Sequence, residues 1–260
     1  MEWKRVKNWL IVLLAVADLI LAFSVGRQLL QRRNIVRAAT ENAVAVAQKR
    51  GIRLESEAVF AMPEKTESYR TERSDTMESG AALKLLGENE LIQPGGGVTI
   101  YTGEAGEVSF RRGGALEIRL RDRAEAEPVA LLESAGLPVE GVSLMVDGGE
   151  SVLYQRQDGL PVFNCQLTCR GENGGFAARG RWLLAEELTP EESSIHRAQL
   201  VLALCDLLEE RSLDRVNGLE AGYYLQSEDA RAMLLIPVWA VETSQGRLYL
   251  NCLTGEQLIF

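Results

Sequence analysis

Residues 9–25 read WLIVLLAVADLILAFSV, an apolar run of seventeen residues carrying one charge, Asp18. That length is the lower limit for a helix crossing a hydrocarbon core of about 30 Å. Helical character continues over 27–50, where Val36, Ala39, Ala43, Val44 and Ala47 recur among arginines and Gly51 stands at a C-cap position. This second half is expected to be a juxtamembrane stalk that ends by docking on a globular part. Residues 52–61 are expected to form a strand that Pro63 stops. Residues 64–80 (EKTESYRTERSDTMESG) are polar and without period, so they are expected to be a mobile loop or linker.

Beyond Pro94-Gly95-Gly96-Gly97 the pattern shortens. Strands are expected at 98–101, 107–111 and 115–120, an antiparallel meander with glycine-containing turns. A helix at 128–134 follows, then strands near 142–146, 152–157, 162–170 and 176–184, with Asn173-Gly174 turning the last hairpin. The arrangement then repeats. Thr189 is the expected N-cap of a helix, with Pro190 at its first position and Glu192 completing a capping box. Val201, Leu204, Cys205 and Leu208 follow at i, i+3, i+4 and i+7 as a stripe facing a core. Strands at 222–225, 232–242 and 247–253 come next, and Ser244-Gln245-Gly246 turns the last pair. A helix followed by antiparallel strands, twice, predicts an α+β fold in which helices cover sheet faces. The organisation expected is an N-terminus (1–8), a membrane helix (9–26), a stalk and linker (27–93), and two helix-plus-sheet units (94–188 and 189–260).

Asp18 tests the membrane assignment. A carboxylate near a helix centre costs about 2.5–3.5 kcal/mol on the insertion scale, whereas eleven Leu, Ile, Val and Phe residues return on the order of 5 kcal/mol. Insertion wins narrowly, and two readings of Asp18 stand side by side. It is a carboxyl that is protonated or hydrated and merely tolerated, or one that hydrogen-bonds a polar group on a neighbouring transmembrane helix, the reading favoured for an ionisable group in lipid. No small-x-small cleavage site follows the run, since Ala22-Phe23-Ser24 is a poor one, so an uncleaved anchor is expected rather than a signal peptide. Lys4, Arg5 and Lys7 on one flank and Arg27, Arg32, Arg33 and Arg37 on the other nearly balance, and charge alone leaves the orientation open.

Composition narrows the function classes. The net charge is −9, and once the three basic and two acidic residues of 1–26 are set aside the rest holds 25 basic and 35 acidic side chains. An acidic domain has no broad basic face for nucleic acid, so no nucleic-acid partner is expected, and the lipid bilayer is met only through the N-terminal segment. Cys165 and Cys169 lie on one strand face about 13 Å apart, too far for a bridge. The four cysteines, with Cys205 and Cys252, are expected to be small buried hydrophobes.

Chemistry-bearing patterns are scarce. His196 is the single histidine, expected in the first turns of the capped helix, and no Gly-x-Ser-x-Gly elbow accompanies it. The cysteines have no histidine at ligand spacing, so no metal site is expected. The doublets Glu186-Glu187, Glu191-Glu192 and Glu209-Glu210 fall at element ends, where solvated or capping acids belong. The glycine triplet at 95–97 lacks the Lys-Ser/Thr of a phosphate loop. Neither a catalytic group nor a cofactor site is expected, which leaves protein binding through strand edges and sheet surfaces.

Three segments carry a resemblance. The opening Met1-Glu2-Trp3-Lys4-Arg5-Val6-Lys7 before an apolar run resembles the YycI regulatory proteins of low-GC Gram-positive bacteria, in which Asn-like polarity often stands where this chain has Asp18. Gln157-Asp158-Gly159-Leu160-Pro161-Val162-Phe163-Asn164 is similar to the family's middle strand pair. Leu235-Ile236-Pro237-Val238-Trp239 with Tyr249-Leu250-Asn251-Cys252-Leu253-Thr254-Gly255-Glu256 resembles its closing hairpin. The resemblance implies an N-in, C-out anchor at the cell membrane and an extracytoplasmic α+β domain of two PepSY-like units. It also implies partnership with a YycH-like sister protein, the pair modulating a sensor histidine kinase of the WalK (YycG) type that controls cell-wall metabolism. It brings no catalytic residues. Two rivals remain: an anchored PepSY-like module that binds or inhibits an extracellular protease through a sheet edge, and a cell-wall hydrolase with convergent acids.

Overall fold

The computed structural model describes residues 3–123, 126–147, 149–172 and 174–259. One helix, α1 (Trp3–Lys49), leads into a short α2 (Ser56–Ala61), the strand β1 (Glu67–Glu72) and α3 (Asp75–Leu86). A four-strand meander follows: β2 (Asn89–Gly95), β3 (Val98–Gly103), β4 (Gly106–Arg111) and β5 (Ala115–Leu120). Then come α4 (Pro128–Ser134), β6 (Ser143–Asp147), β7 (Glu150–Gln157), β8 (Leu160–Glu172) and β9 (Gly175–Arg181). The chain closes with β10 (Thr189–Ser193), α5 (Arg197–Glu210), β11 (Gly218–Ser227), β12 (Ala232–Thr243) and β13 (Gly246–Asn251).

The strands form two arrays that share β8. In the first, eight strands run antiparallel in the order β2-β3-β4-β5-β9-β8-β7-β6. In the second, β10, β1, β12 and β11 lie side by side, and β13 takes the β1 flank of β12 further along. The start of β8 runs parallel to β11, with Val162 opposite Tyr223, and joins the arrays. α3 and α4 cover one face of the eight-stranded array through Leu85, Leu132, Ile118, Phe110 and Trp182. α5 and the last turns of α1 cover the other array around Leu204, Cys205, Trp239 and Leu250. The α+β class expected from the sequence holds, and helix followed by antiparallel strands occurs three times, since α3 also precedes β2–β5.

Local chemistry sets the helix ends. Pro128 occupies the first turn of α4, and the Glu127 carboxylate accepts from the backbone N–H of Val129 at 3.2 Å and of Ala130 at 2.6 Å. Ser74 caps α3 by accepting from Met77 N–H at 3.1 Å, and Gly87 ends it at φ 71°, where only glycine is unstrained.

Three expectations fail, each for a physical reason. The expected loop at 64–80 holds β1 and the start of α3. The inward positions of β1 are Ser68 and Thr71, whose hydroxyls donate to the carbonyls of Glu192 (3.1 Å) and Glu187 (2.9 Å), so a polar sequence is buried without loss. Arg73 and Glu78 then form a buried bidentate pair at 2.7 and 2.8 Å, with Arg73 also donating to Gly97 O and Thr99 Oγ1. The expected strand at 52–61 is helical from Ser56, with Ile52 and Leu54 buried ahead of it. Finally, Thr189-Pro190-Glu191-Glu192 is not a helix start. It is β10, an edge strand on β1, where a proline without N–H is tolerated and Arg70 pairs with Glu191. α5 begins seven residues later, and its cap position is His196, whose N–H donates to Gln199 Oε1 at 3.1 Å. The stripe Val201, Leu204, Cys205 and Leu208 is buried as expected. The hairpin between β8 and β9 is present, although Asn173 lies outside the described residues.

Candidate functional site: the apolar N-terminal helix and the groove beside its stalk

α1 spans 47 residues, about 70 Å at helical rise. From Leu13 onward it includes a stretch of mean hydropathy 1.7, none of it buried inside the protein. Leu13, Leu19 and Phe23 are 70%, 70% and 73% exposed, a surface that only an apolar medium would cover without cost. Trp3 and Trp9 stand exposed toward the N-terminal end, where indole rings favour a membrane interface. Asp18 is exposed among these residues and meets no polar partner among the described side chains. Asp18 and Val36 are eighteen residues apart, five turns of a regular helix, so they point the same way, one within the apolar stretch and one on the stalk.

The upper end of α1 is fixed firmly. Thr40, Ala43, Val44 and Ala47 are buried against α5, a seam of small residues that lets the two backbones approach closely. Arg50 closes the seam, its guanidinium 2.6 Å from Asp206 and 3.7 Å from Glu209.

Beside this seam a groove of about 940 Å³ opens between α1, α2 and the start of α5. On the α1 side, Arg33, Arg37, Glu41, Val44 and Gln48 line it; on the other side stand Glu57, Phe60, Glu64 and Arg197. The Phe60 ring has two guanidiniums over it, Arg37 at 5.9 Å and Arg197 at 5.1 Å from its centre. Arg197 is 9% exposed; it donates to Met62 O at 2.7 Å and Phe60 O at 3.3 Å, tying α5 to the end of α2. Its second terminal nitrogen lies 3.3 Å from Glu64 Oε2, while Arg197 Nε and Glu64 Oε2 are buried without a hydrogen bond among the described residues. Arg37 pairs with Glu41 at 3.0 Å. Arg33 and Glu57 have no ionic partner among the described residues.

The groups singled out in the sequence do not converge. His196 is half exposed and faces Glu64 Oε1 at 3.2 Å, with no nucleophile beside it. Of the acidic doublets, Glu186 accepts from Ser74 Oγ, Glu191 holds Arg70, and Glu209 stands near Arg50, three separate places on the surface. The four cysteines are buried free thiols. Burial pushes Cys165 and Cys169 up to about 12 and Cys205 up to about 11, and it raises Cys252 as well, so these thiols are not nucleophiles near neutral pH. Among the described residues no three His, Cys, Asp or Glu side chains gather as metal ligands would. Sequence reasoning found Asp18 but missed Phe60, Glu64 and Arg197, which come from two segments 133 residues or more apart in the chain. The regular spacing of Arg33, Arg37 and Glu41 was the one visible trace of the groove.

The chain is therefore an α+β protein with one N-terminal helix long and apolar enough to cross a membrane. No family model matches it, and no curated protein does. Among solved structures it is similar to an uncharacterized protein from Eubacterium rectale determined at 1.45 Å, with 14% identity and a TM-score of 0.42 over 77% of this chain and 88% of that one.

Proposed function

We propose that this chain is a membrane-anchored, non-enzymatic regulator of the YycI kind. In this reading it acts on a sensor histidine kinase of the WalK (YycG) type together with a YycH-like sister protein. The N-terminus lies in the cytoplasm and the globular part, built of PepSY-like helix-plus-sheet units, lies outside the cell membrane. The observation that carries the reading is the unbroken course of α1 from the apolar stretch into a buried seam with α5. A helix so held passes any tilt of the domain to the segment in lipid. There Asp18 contacts a polar group on a kinase or sister helix, because lipid offers it no other partner.

The energies suffice. A coupling of about 1–3 kcal/mol shifts a two-state kinase 5- to 150-fold, and one intramembrane polar contact contributes about 0.6–1.7 kcal/mol. Replacing Asp18 with Leu is expected to weaken co-purification with the kinase several-fold and to alter target-gene output. Unchanged association with unchanged output would refute the reading.

A second reading draws on the outermost strand of the eight-stranded array. β2 exposes Leu91 at 50% and Ile92 at 45% along an unpaired edge, a surface on which an extended peptide of a protease could add a strand. It predicts protease inhibition by the detergent-solubilised full chain, lost in Ile92→Lys. Activity on muropeptides would favour the hydrolase rival over both.

A further inference from the structure

We infer that the groove between α1 and α2 seats the juxtamembrane helix of a second membrane-anchored protein, lying alongside α1. The inference rests on reading the chain as an anchored partner-binding protein. It adds the place, the shape and the charge pattern of the contact.

Shape comes first. Arg33, Arg37, Glu41, Val44 and Gln48 follow one another by four, four, three and four residues, a single stripe along α1. The stripe is about 22 Å long at helical rise, so the groove runs parallel to the stalk. Its 940 Å³ compares with about 850 Å³ for two turns of a helix 10 Å across. A helix leaving the bilayer next to α1 would enter this channel without bending.

Charge comes second. Within the groove Arg37 is matched by Glu41 and Arg197 by Glu64, whereas Arg33 and Glu57 are left over. The occupant therefore carries an acid toward Arg33 and a base toward Glu57, with apolar side chains over Phe60 and Val44. A second copy of this chain fits badly, because pairing α1 with itself about a two-fold axis brings Arg33 and Arg37 against their own counterparts. A lipid headgroup fits badly too. Arg33 lies about 12 Å beyond Val25 along the helix, whereas the polar layer on each side of the hydrocarbon is about 5–8 Å deep.

The test uses full-length protein in native membranes, with epitope-tagged sensor kinase and YycH-like protein as probes. A photocrosslinking residue is placed at Ala45 in the groove, at Ala22 in the apolar stretch, or at Leu83 on the distant α3. The Ala45 site is expected to capture one tagged partner at a peptide within about 20 residues after its membrane span, and Leu83 is expected to capture neither. Glu57→Arg, at an exposed side chain without a partner, is expected to reduce the Ala45 adduct about fivefold or more and leave the Ala22 adduct intact. Capture at Ala22 without capture at Ala45 overturns the groove assignment and leaves the regulator reading standing. An Ala45 adduct with phospholipid or with another copy also overturns it. Silence at both sites removes the regulator reading and the groove together.

Discussion

The core of the eight-stranded array and the seam between α1 and α5 reach stability by opposite means. Around the eight-stranded array, bulk fills the core: Leu132, Ile118 and Leu153 are fully buried, and Trp182 reaches Pro138 O with its indole N–H at 3.0 Å. At the α1–α5 seam, smallness does the work, because Ala43, Ala47 and Thr40 occupy the contact and Thr40 returns its hydroxyl to Val36 O at 3.0 Å. A bulky core suffers when atoms are removed, whereas a close seam suffers when atoms are added. The first lobe is closed on its helix-covered face; the second leaves a channel open beside the helix that carries the apolar stretch.

The sharpest challenge to this contrast lies in the polar interior of the first lobe. Arg73→Ala leaves Glu78 buried without its partner, and unfolding by denaturant in detergent is expected to show a loss of about 3–5 kcal/mol. Arg70→Ala, which breaks solvent-screened surface pairs with Glu191 and Glu228, is expected to leave the unfolding midpoint nearly unchanged. Next in size, Leu132→Ala is expected to cost about 2–5 kcal/mol by opening a cavity. The mirror experiment is Ala47→Leu in the seam, expected to cost about 1–3 kcal/mol by overpacking. If Ala47→Leu proves neutral, the seam is looser than described and the comparison breaks.

Smaller still is the cap of α4. Glu127→Ala is expected to lower stability by about 1 kcal/mol. Alkaline pH supplies a graded test of burial. Cys205 rises from its ordinary 9.0 to about 11, and Cys165 and Cys169 to about 12, so the unfolded chain releases these protons before the folded one does. The contribution of these thiols to stability is therefore full below pH 9 and is lost as pH rises through 11 and 12, and thiol labelling at pH 8 is expected to require unfolding. Rapid labelling of the folded protein would show that the cores are open.

How much of this was legible in the sequence follows from what each element buries. α1, the stripe of α5 and the strands 107–111 and 115–120 were plain, because their inward positions are apolar at the helical or strand period. β1 was hidden because its inward side chains are hydroxyls that only the neighbouring carbonyls make acceptable. β10 imitated a helix start closely, and only its pairing with β1, an encounter across more than a hundred residues, decides against the cap. The groove was invisible for the same reason. Phe60 is unremarkable in a six-residue helix until Arg37 and Arg197 arrive from elsewhere.

The long strand β8 has a consequence for how the parts connect. Its thirteen residues run through the eight-stranded array, and its first few also reach β11, where Val162 stands opposite Tyr223 and the Asn164 side chain holds both backbone groups of Leu225, so the two arrays meet on one backbone. The outer rim at β2 and the clamped end of α1 therefore lie on one continuous strand network, with α5 between the network and the helix.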